Sequence, residues 1–147
     1  MMTIIRTAQT EDLVEMKNFL GQAEVSTSGI EHQLDHFILM EDIEGGLLGT
    51  LGIQRLEHDG LLRSLVISPK VEKTKILDMF QQILSLAKKK ELKCLYLATN
   101  KIVSVEFFTL LGFKRLELNE VPPHIFQSEH VEESLQMGET VIMRFII

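Results

Sequence analysis

Three lysines stand between an apolar strand pattern and an apolar helix pattern, in the stretch SPKVEKTKILDMF at 68–80. The junction between a strand and a helix can bind an anion, because the first amides of a helix point outward without a partner. Phosphate-binding loops usually carry glycines, which let the backbone come close to the phosphate. Here the loop carries Lys70, Lys73 and Lys75 instead. These lysines either bind phosphate as mobile positive charges or face solvent on a polar turn, and both interpretations stay open.

Arg63 interrupts the apolar run LLRSL in what should be a central strand. An arginine in such a place is rarely buried without an anionic partner. It either pairs with an internal carboxylate such as Glu41 or receives the carboxylate of an acidic or amino-acid-like substrate. Glu41, at the end of the strand pattern 36–41, is also the best-placed candidate base, although a glutamate at a strand end is more commonly exposed. His124, in the rigid turn VPPHI, either rims an acceptor pocket or packs a turn.

The cysteine and histidine pattern predicts no metal site. Cys94 is the single cysteine, so an internal disulfide and a cysteine-based zinc site are excluded, and its place in KCLYLAT predicts a core residue. Of the five histidines, His32 and His36 have i, i+4 spacing, but HQLDH lacks the glutamate of HExxH and a third ligand. We expect the histidines to lie in turns and on the surface.

Length and charge exclude several classes of protein. The 147 residues are most simply one domain over 1–147. Fifteen basic and 21 acidic residues give a net charge of −6, which argues against a nucleic-acid partner. No apolar run approaches the ~20 residues of a membrane span, and the first residues lack a signal-peptide pattern. We therefore expect a cytoplasmic protein with no membrane partner.

Periodicity predicts an α/β chain of order β α β β β α β α β β. The first helix begins after Thr10 as its N-cap and stops at Gly21, and an Asp-Gly hairpin turn is expected at 58–60. A helix over 74–90 must cross over, which makes the strands before and after it parallel neighbours. The predicted strands are 3–6, 36–41, 47–57, 61–68, 93–99, 114–118 and 139–147.

Three segments carry a resemblance to a known family: GLLRSLVISP at 60–69, LYLATNKIVSVEFFTLLGFKRL at 95–116 and VPPHIFQSEH at 121–130. With the element order, they make essentially the whole chain similar to the GNAT superfamily of acyl-CoA N-acyltransferases. The similarity is closest to a branch often labelled with arsenic-resistance N-acetyltransferases. It implies a mixed, mostly antiparallel sheet with helices on both faces and a splayed parallel pair at its centre.

The resemblance also implies how acetyl-CoA would bind. The pantetheine arm would lie in a V-shaped gap between strands 61–68 and 93–99 and pair with main-chain groups of Leu65, Val66 and Ile67. The amide of Val66 would donate to the thioester oxygen, where negative charge develops during acyl transfer. Asn100 either contacts the cofactor arm or caps the helix that follows.

The pyrophosphate loop of this chain departs from the family pattern. That pattern has a glutamine or arginine, two residues, a glycine, one residue, and a glycine or alanine. In this chain Lys70 takes the first position, and Lys73 and Lys75 take the two glycine positions. If these lysines kept the positive φ of glycine, each would cost about 1 kcal/mol of backbone strain; otherwise the loop must have a different shape. The main-chain amides at the start of the helix would still carry the positive end of the helix dipole. They belong to Thr74, Lys75, Ile76 and Leu77.

The acid of the family reaction is also missing from its expected place. Phe108 stands where many members carry a tyrosine that protonates the leaving thiolate, and Tyr96 is expected to pack inside a strand. Two hypotheses follow. The first is an enzyme that transfers acetyl from acetyl-CoA to a primary amine of a small molecule, including one with a carboxylate, by direct attack. The second is a catalytically impaired binding module of the same fold with a degenerate pyrophosphate loop, and a homodimer is compatible with it.

Overall fold

A computed structural model describes residues 2–147 and contains a seven-stranded mixed sheet of order β1-β2-β3-β4-β5-β7-β6. This confirms the predicted mixed α/β class. The strands are β1 Thr3–Thr7, β2 Phe37–Asp42, β3 Leu47–Leu56, β4 Asp59–Ile67, β5 Cys94–Thr99, β6 Lys114–Leu116 and β7 Val141–Ile146. The helices are α1 Leu13–Gln22, α2 Lys73–Lys89, α3 Ile102–Leu111, α4 Pro123–Phe126 and α5 Glu129–Gln136.

The chain forms two compact units, and the single-domain expectation stays a prediction. Unit 1 comprises the chain up to Gln54 together with Arg63–Lys89. In it β2 pairs antiparallel with β1 and with β3, and the register shifts between Met40 and Glu41. Its apolar core is built by α1, the segment that follows it and β2, with Met16, Leu20, Ile30, Phe37 and Leu39 all buried.

Unit 2 comprises Arg55–Leu62 and Lys90–Ile147. Here β7 pairs antiparallel with both β5 and β6. The beginning of β4 pairs in parallel with β5 through Gly60–Leu95 and Leu61–Tyr96, which confirms the crossover predicted from the helix between them. The core residues of this unit are Leu61, Tyr96, Leu116, Val121, Ile125, Val131 and Ile142.

Several local predictions were wrong. The β3–β4 turn consists of Glu57 and His58, with Glu57 at a φ of 57°, while Asp59 is a buried strand residue rather than part of the turn. The Asp59 carboxylate accepts the amide of Cys94, and this bond places Asp59 in the strand. VPPHI contains a helical turn, and α5 was not predicted because EHVEESLQ is mostly polar.

Two predicted helix caps also differ. Gln9 stands at the start of a 3-10 turn, Thr10–Asp12, that precedes α1, so Thr10 is not the cap. Lys101, not Asn100, is the N-cap of α3. The amide of Lys101 donates to the Thr99 hydroxyl oxygen at 3.2 Å, and the capping interpretation of Asn100 is wrong. Among residues 2–147, no helix combines the length and apolarity needed to cross a bilayer.

Candidate active site

The last residues of β4 follow a backbone path that is fixed within unit 1. Ser64 has a φ of 57°, a left-handed conformation that redirects a strand. Its carbonyl accepts the buried hydroxyl of Thr50 at 2.7 Å. The amide of Ser68 donates to the carbonyl of Leu48 at 2.8 Å. These two bonds hold both ends of the segment Leu65–Ile67, whose main chain is predicted to bind the cofactor.

Gly49 on β3 lets this segment come close. A Cβ at Gly49 would lie 2.9 Å from Cδ1 of Ile67 and 3.4 Å from the carbonyl oxygen of Val66. The glycine therefore fits a close approach of β4, as expected for a strand glycine. Val66 and Ile67 are half-buried, while Leu65 is exposed.

The loop after β4 has a shape that lysine can adopt. The amide of Val71 donates to the Ser68 carbonyl at 3.0 Å, and the amide of Lys70 to the Ser68 hydroxyl at 3.3 Å. The non-glycine residues with positive φ in residues 2–147 are Glu24, Glu57, Ser64 and Glu91. The loop lysines are outside this set, so the loop carries no left-handed strain at Lys70, Lys73 or Lys75.

The three lysines differ in their surroundings. Lys70 and Lys73 are exposed, as is Thr74. Lys75 is half-buried and lines a polar surface groove with Thr3, Asp78, Gln82 and other residues of unit 1. Ile76, the next residue, is also half-buried. The helix α2 begins at Lys73 with no acidic residue in its first turn, and Glu72 directly precedes it.

Arg63 is held by groups of unit 1. Its Nη2 donates to the carbonyl of Ser28 at 3.2 Å, and its Nε lies 3.3 Å from the Ser64 hydroxyl. Its guanidinium stacks over Phe37. Gly52 makes room for that ring, because a Cβ there would lie 2.5 Å from Cε2 of Phe37.

Glu41, the predicted base, is an ion-pair partner of Arg6. The Glu41 Oε1 accepts Arg6 Nε at 2.9 Å, and Arg6 also makes two 2.7 Å bonds to the carboxylate of Asp12. These hydrogen bonds hold the pKa of Asp12 below its usual value and raise that of Arg6. The carboxylate predicted to act as a base is thus held in an ion pair within unit 1.

The remaining predicted site residues belong to unit 2. Asn100 is exposed. Phe108 is 5% exposed and packs edge-on against Phe113, with ring centres 5.3 Å apart, so a core residue occupies the position where the resemblance implies a tyrosine. Tyr96 is buried, and burial raises the pKa of its phenol, which fits the predicted packing role.

His124 lies in a polar cluster that the sequence did not reveal. Its Nε2 is 2.7 Å from Oδ2 of Asp59, its Nδ1 is 3.0 Å from Oε2 of Glu57, and His58 stands beside it. Because His58 and His124 are far apart in the chain, local spacing does not connect them. In the local sequence, the only indication of this cluster was the adjacent pair of His58 and Asp59 after a predicted strand.

Comparison with known proteins places the chain in a family. No family model matches it. The protein YwlB of Bacillus subtilis (strain 168), which is uncharacterized, is 38% identical over 141 residues, or 95% of each chain. The chain belongs to the YwlB family.

Solved structures show the fold of this YwlB-family chain. Rv2747 from Mycobacterium tuberculosis, in complex with CoA and NLQ, has a TM-score of 0.77 and 19% identity over 98% of this chain and 99% of its own. A GNAT-family acetyltransferase from Staphylococcus aureus Mu50 has a TM-score of 0.77 and 16% identity over 99% of both chains. N-acetylglutamate synthase from Neisseria gonorrhoeae, complexed with coenzyme A and N-acetyl-glutamate, has a TM-score of 0.77 and 18% identity, over 99% of this chain and 35% of its own. The chain therefore has the fold of the GNAT acetyltransferases.

Proposed function

We propose that this protein is an acetyl-CoA-dependent N-acetyltransferase that acetylates a primary amine of a small molecule. The observation that carries the proposal is the fixed main chain of Leu65–Ile67 in a GNAT fold, between the bond from Thr50 to Ser64 and the bond from Ser68 to Leu48. The two residue pairs that join β4 to β5, Gly60–Leu95 and Leu61–Tyr96, both come before Arg63 in β4. This supports a role for the later main-chain groups of β4 in pairing with the pantetheine arm.

The reaction is a direct attack in a ternary complex. The amine nitrogen attacks the thioester carbonyl carbon, the amide of Val66 donates to the oxygen that gains negative charge, and the C–S bond then breaks. The amine loses one proton to a base and the CoA thiolate gains one from water. Glu41 is the proposed base, acting through water, and it would have to do so beside Arg6.

Phosphate binding in this proposal rests on charge rather than on glycine. Lys70, Lys73 and Lys75 attract the pyrophosphate, and the amides from Thr74 to Ile76 provide the positive end of α2. Each exposed ammonium group contributes a few tenths to about 1 kcal/mol, less at high salt. Asn100 and Phe108 stay cofactor-binding candidates by resemblance alone, since Phe108 is buried.

The acceptor is proposed to carry a carboxylate that Arg63 binds. A guanidinium held over an aromatic ring and next to a polar loop is suited to a carboxylate. Solved neighbours with this fold bind N-acetyl-glutamate or L-arginine, which supports an amino-acid-like acceptor. The resemblance to the arsenic-resistance-associated branch also favours a small molecule. A cytoplasmic location and a homodimer remain predictions.

Two measurements test the proposal. Acetyl-CoA at about 100 times its dissociation constant should stabilise the protein by about 2.7 kcal/mol and raise Tm by several degrees. Release of free CoA thiol in a screen of carboxylate-bearing amines should then identify the acceptor. A Tm shift without turnover on any amine would favour the binding module, for which the buried Phe108 is the evidence. No shift at millimolar acetyl-CoA would contradict cofactor binding itself.

A further inference from the structure

Four polar residues of unit 2 meet where β3 turns into β4 and α4 begins. We refer to Glu57, His58, Asp59 and His124 as the Asp59 cluster. Asp59 and His124 have side chains that are 4% and 19% exposed, whereas those of His58 and Glu57 are 55% and 64% exposed. The cluster is thus buried on one side and open to solvent on the other.

Three side chains of the Asp59 cluster hold possible metal-ligand atoms close together. Oδ2 of Asp59 lies 2.7 Å from Nε2 of His124 and 3.6 Å from Nε2 of His58. One ligand atom from each of these three residues lies within 4.8 Å of the other two. Ligands on a tetrahedral metal with bonds of about 2.0–2.1 Å are roughly 3.3 Å apart, so small side-chain shifts would bring the three atoms around one ion.

We propose that His58, Asp59 and His124 bind a divalent transition-metal ion such as Zn²⁺. Two imidazoles and one carboxylate are a ligand set for zinc, cobalt or nickel, and they disfavour magnesium or calcium, which prefer oxygen ligands. Water fills the remaining coordination position on the exposed side of His58. The expected absence of a metal site rested on His32 and His36, and this site uses different histidines.

The groups behind the ligands are arranged as in metal sites. Oδ1 of Asp59 accepts the Cys94 amide at 3.1 Å, which fixes the carboxylate and leaves Oδ2 toward the two histidines. Nδ1 of His124 lies 3.0 Å from Oε2 of Glu57. A metal-bound histidine usually donates its other ring N–H to a carboxylate, which sets the tautomer and orients the ring. Glu57 provides that carboxylate for His124.

The bound ion would link the β3–β4 turn to α4, because its ligands come from both. His58 belongs to the turn, Asp59 begins β4, and His124 is on the helical turn Pro123–Phe126. Since the metal binds the folded arrangement and not the dispersed residues, it should stabilise unit 2. This role is independent of acetyl transfer.

Cobalt is the spectroscopic probe for this site, and zinc the ion for stability. Untagged protein, treated with chelator and dialysed, is titrated with Co²⁺ while the visible absorption is recorded, and Tm is measured with and without Zn²⁺. We expect one Co²⁺ per chain and a rise in Tm of several degrees with Zn²⁺. His58→Ala, at an exposed position, and Asp59→Asn, which keeps an acceptor for Cys94, should each weaken Co²⁺ binding at least tenfold.

Two further variants separate the site from surface binding. Glu57→Gln should weaken binding about 10-fold or more through His124, without loss of a ligand. His32→Ala is the matched control, because His32 is an exposed histidine in unit 1, with a side chain 80% exposed, and should change nothing. Absence of one-to-one Co²⁺ binding would overturn the proposal, as would equal effects of His32→Ala and His58→Ala.

Discussion

The guanidinium carbon of Arg63 lies 5.8 Å from the centre of the Phe37 ring. Phe37 is fully buried, and Gly52 opposite it leaves space for the ring. A buried aromatic ring thus supports a cation in the middle of a strand, and the attraction between cation and ring limits where that cation can lie. The charge of Arg63 and the space at Gly52 can be tested separately.

Arg63→Gln should weaken the use of a carboxylate-bearing acceptor. A hydrogen bond to a charged group contributes about 1.5–3 kcal/mol, so KM for such an acceptor should rise roughly 10- to 100-fold. The Tm shift with acetyl-CoA should stay unchanged. Arg115→Gln, at an exposed position of β6, is the control. An unchanged KM in Arg63→Gln would show that Arg63 has a structural role only.

Replacement of the loop lysines by glutamine should weaken acetyl-CoA binding in proportion to charge. At about 0.3–1 kcal/mol each, Lys70→Gln, Lys73→Gln and Lys75→Gln should each raise Kd by about 2- to 5-fold, and less at 0.5 M salt. Lys88→Gln and Lys89→Gln, in the last turn of the same helix, are matched controls. Equal effects at both ends of α2 would mean that only the overall charge matters. The double variant Lys73→Gly, Lys75→Gly tests whether a loop with glycine at these two positions binds acetyl-CoA more tightly than the lysine loop does.

Gly52→Ala should destabilise the protein. The new methyl group would meet the buried Phe37 ring at 2.5–2.8 Å, and overpacking of this kind costs about 1–3 kcal/mol. Gly21→Ala is the matched control, since a methyl group there would meet nothing within 4 Å, and alanine favours a helix by about 0.5–1 kcal/mol. Thermal unfolding should therefore give opposite changes in Tm. A neutral Gly52→Ala would show that Phe37 can move aside.

The Arg6–Asp12 pair should make stability depend on acid pH. The pKa of Asp12 is lowered from 3.8 in the fold, so its contribution is present above that value and is lost as pH falls through the folded pKa. With screening, Asp12→Asn should cost about 1 kcal/mol or less at pH 7, or about 2–4 °C in Tm. The difference between variant and wild type should shrink as the pH falls below 3.8 and through the folded pKa of Asp12. Glu15→Gln on α1 is the control, and a difference that does not shrink as the pH is lowered would contradict the ion-pair explanation.

Cys94 should react slowly with Ellman's reagent in the native protein. Burial, with the nearby charge of Asp59, raises the pKa of its thiol, which lowers the thiolate fraction that reacts. At pH 8 we expect slow labelling of the native chain and rapid labelling of one thiol per chain in denaturant. The low background would also suit a thiol-release assay for acetyl transfer. Rapid stoichiometric labelling without denaturant would contradict this expectation.

Regular elements were predictable where the signal is local. The helical spacing after Lys75, the apolar strands around Leu95, and the crossover between them required only periodicity and chain geometry, and the parallel pairing of Leu61 with Tyr96 confirms the result. The predicted position of the β3–β4 turn was wrong because the Asp59 side chain accepts a hydrogen bond from the distant Cys94 amide. Local turn preferences do not include such a tertiary contact.

Local preferences along the chain were enough to predict the order of the main strands and helices, whereas the main-chain segment that could bind a cofactor was inferred from the resemblance to a known family. The order of the elements follows from side-chain periodicity and backbone preferences, which act over a few residues. The pairing of Glu41 with Arg6 and the meeting of His124 with Asp59, 65 positions away, became visible only in the folded chain. Charged side chains find partners across strands and turns, and their partners depend on which distant segments the core brings together.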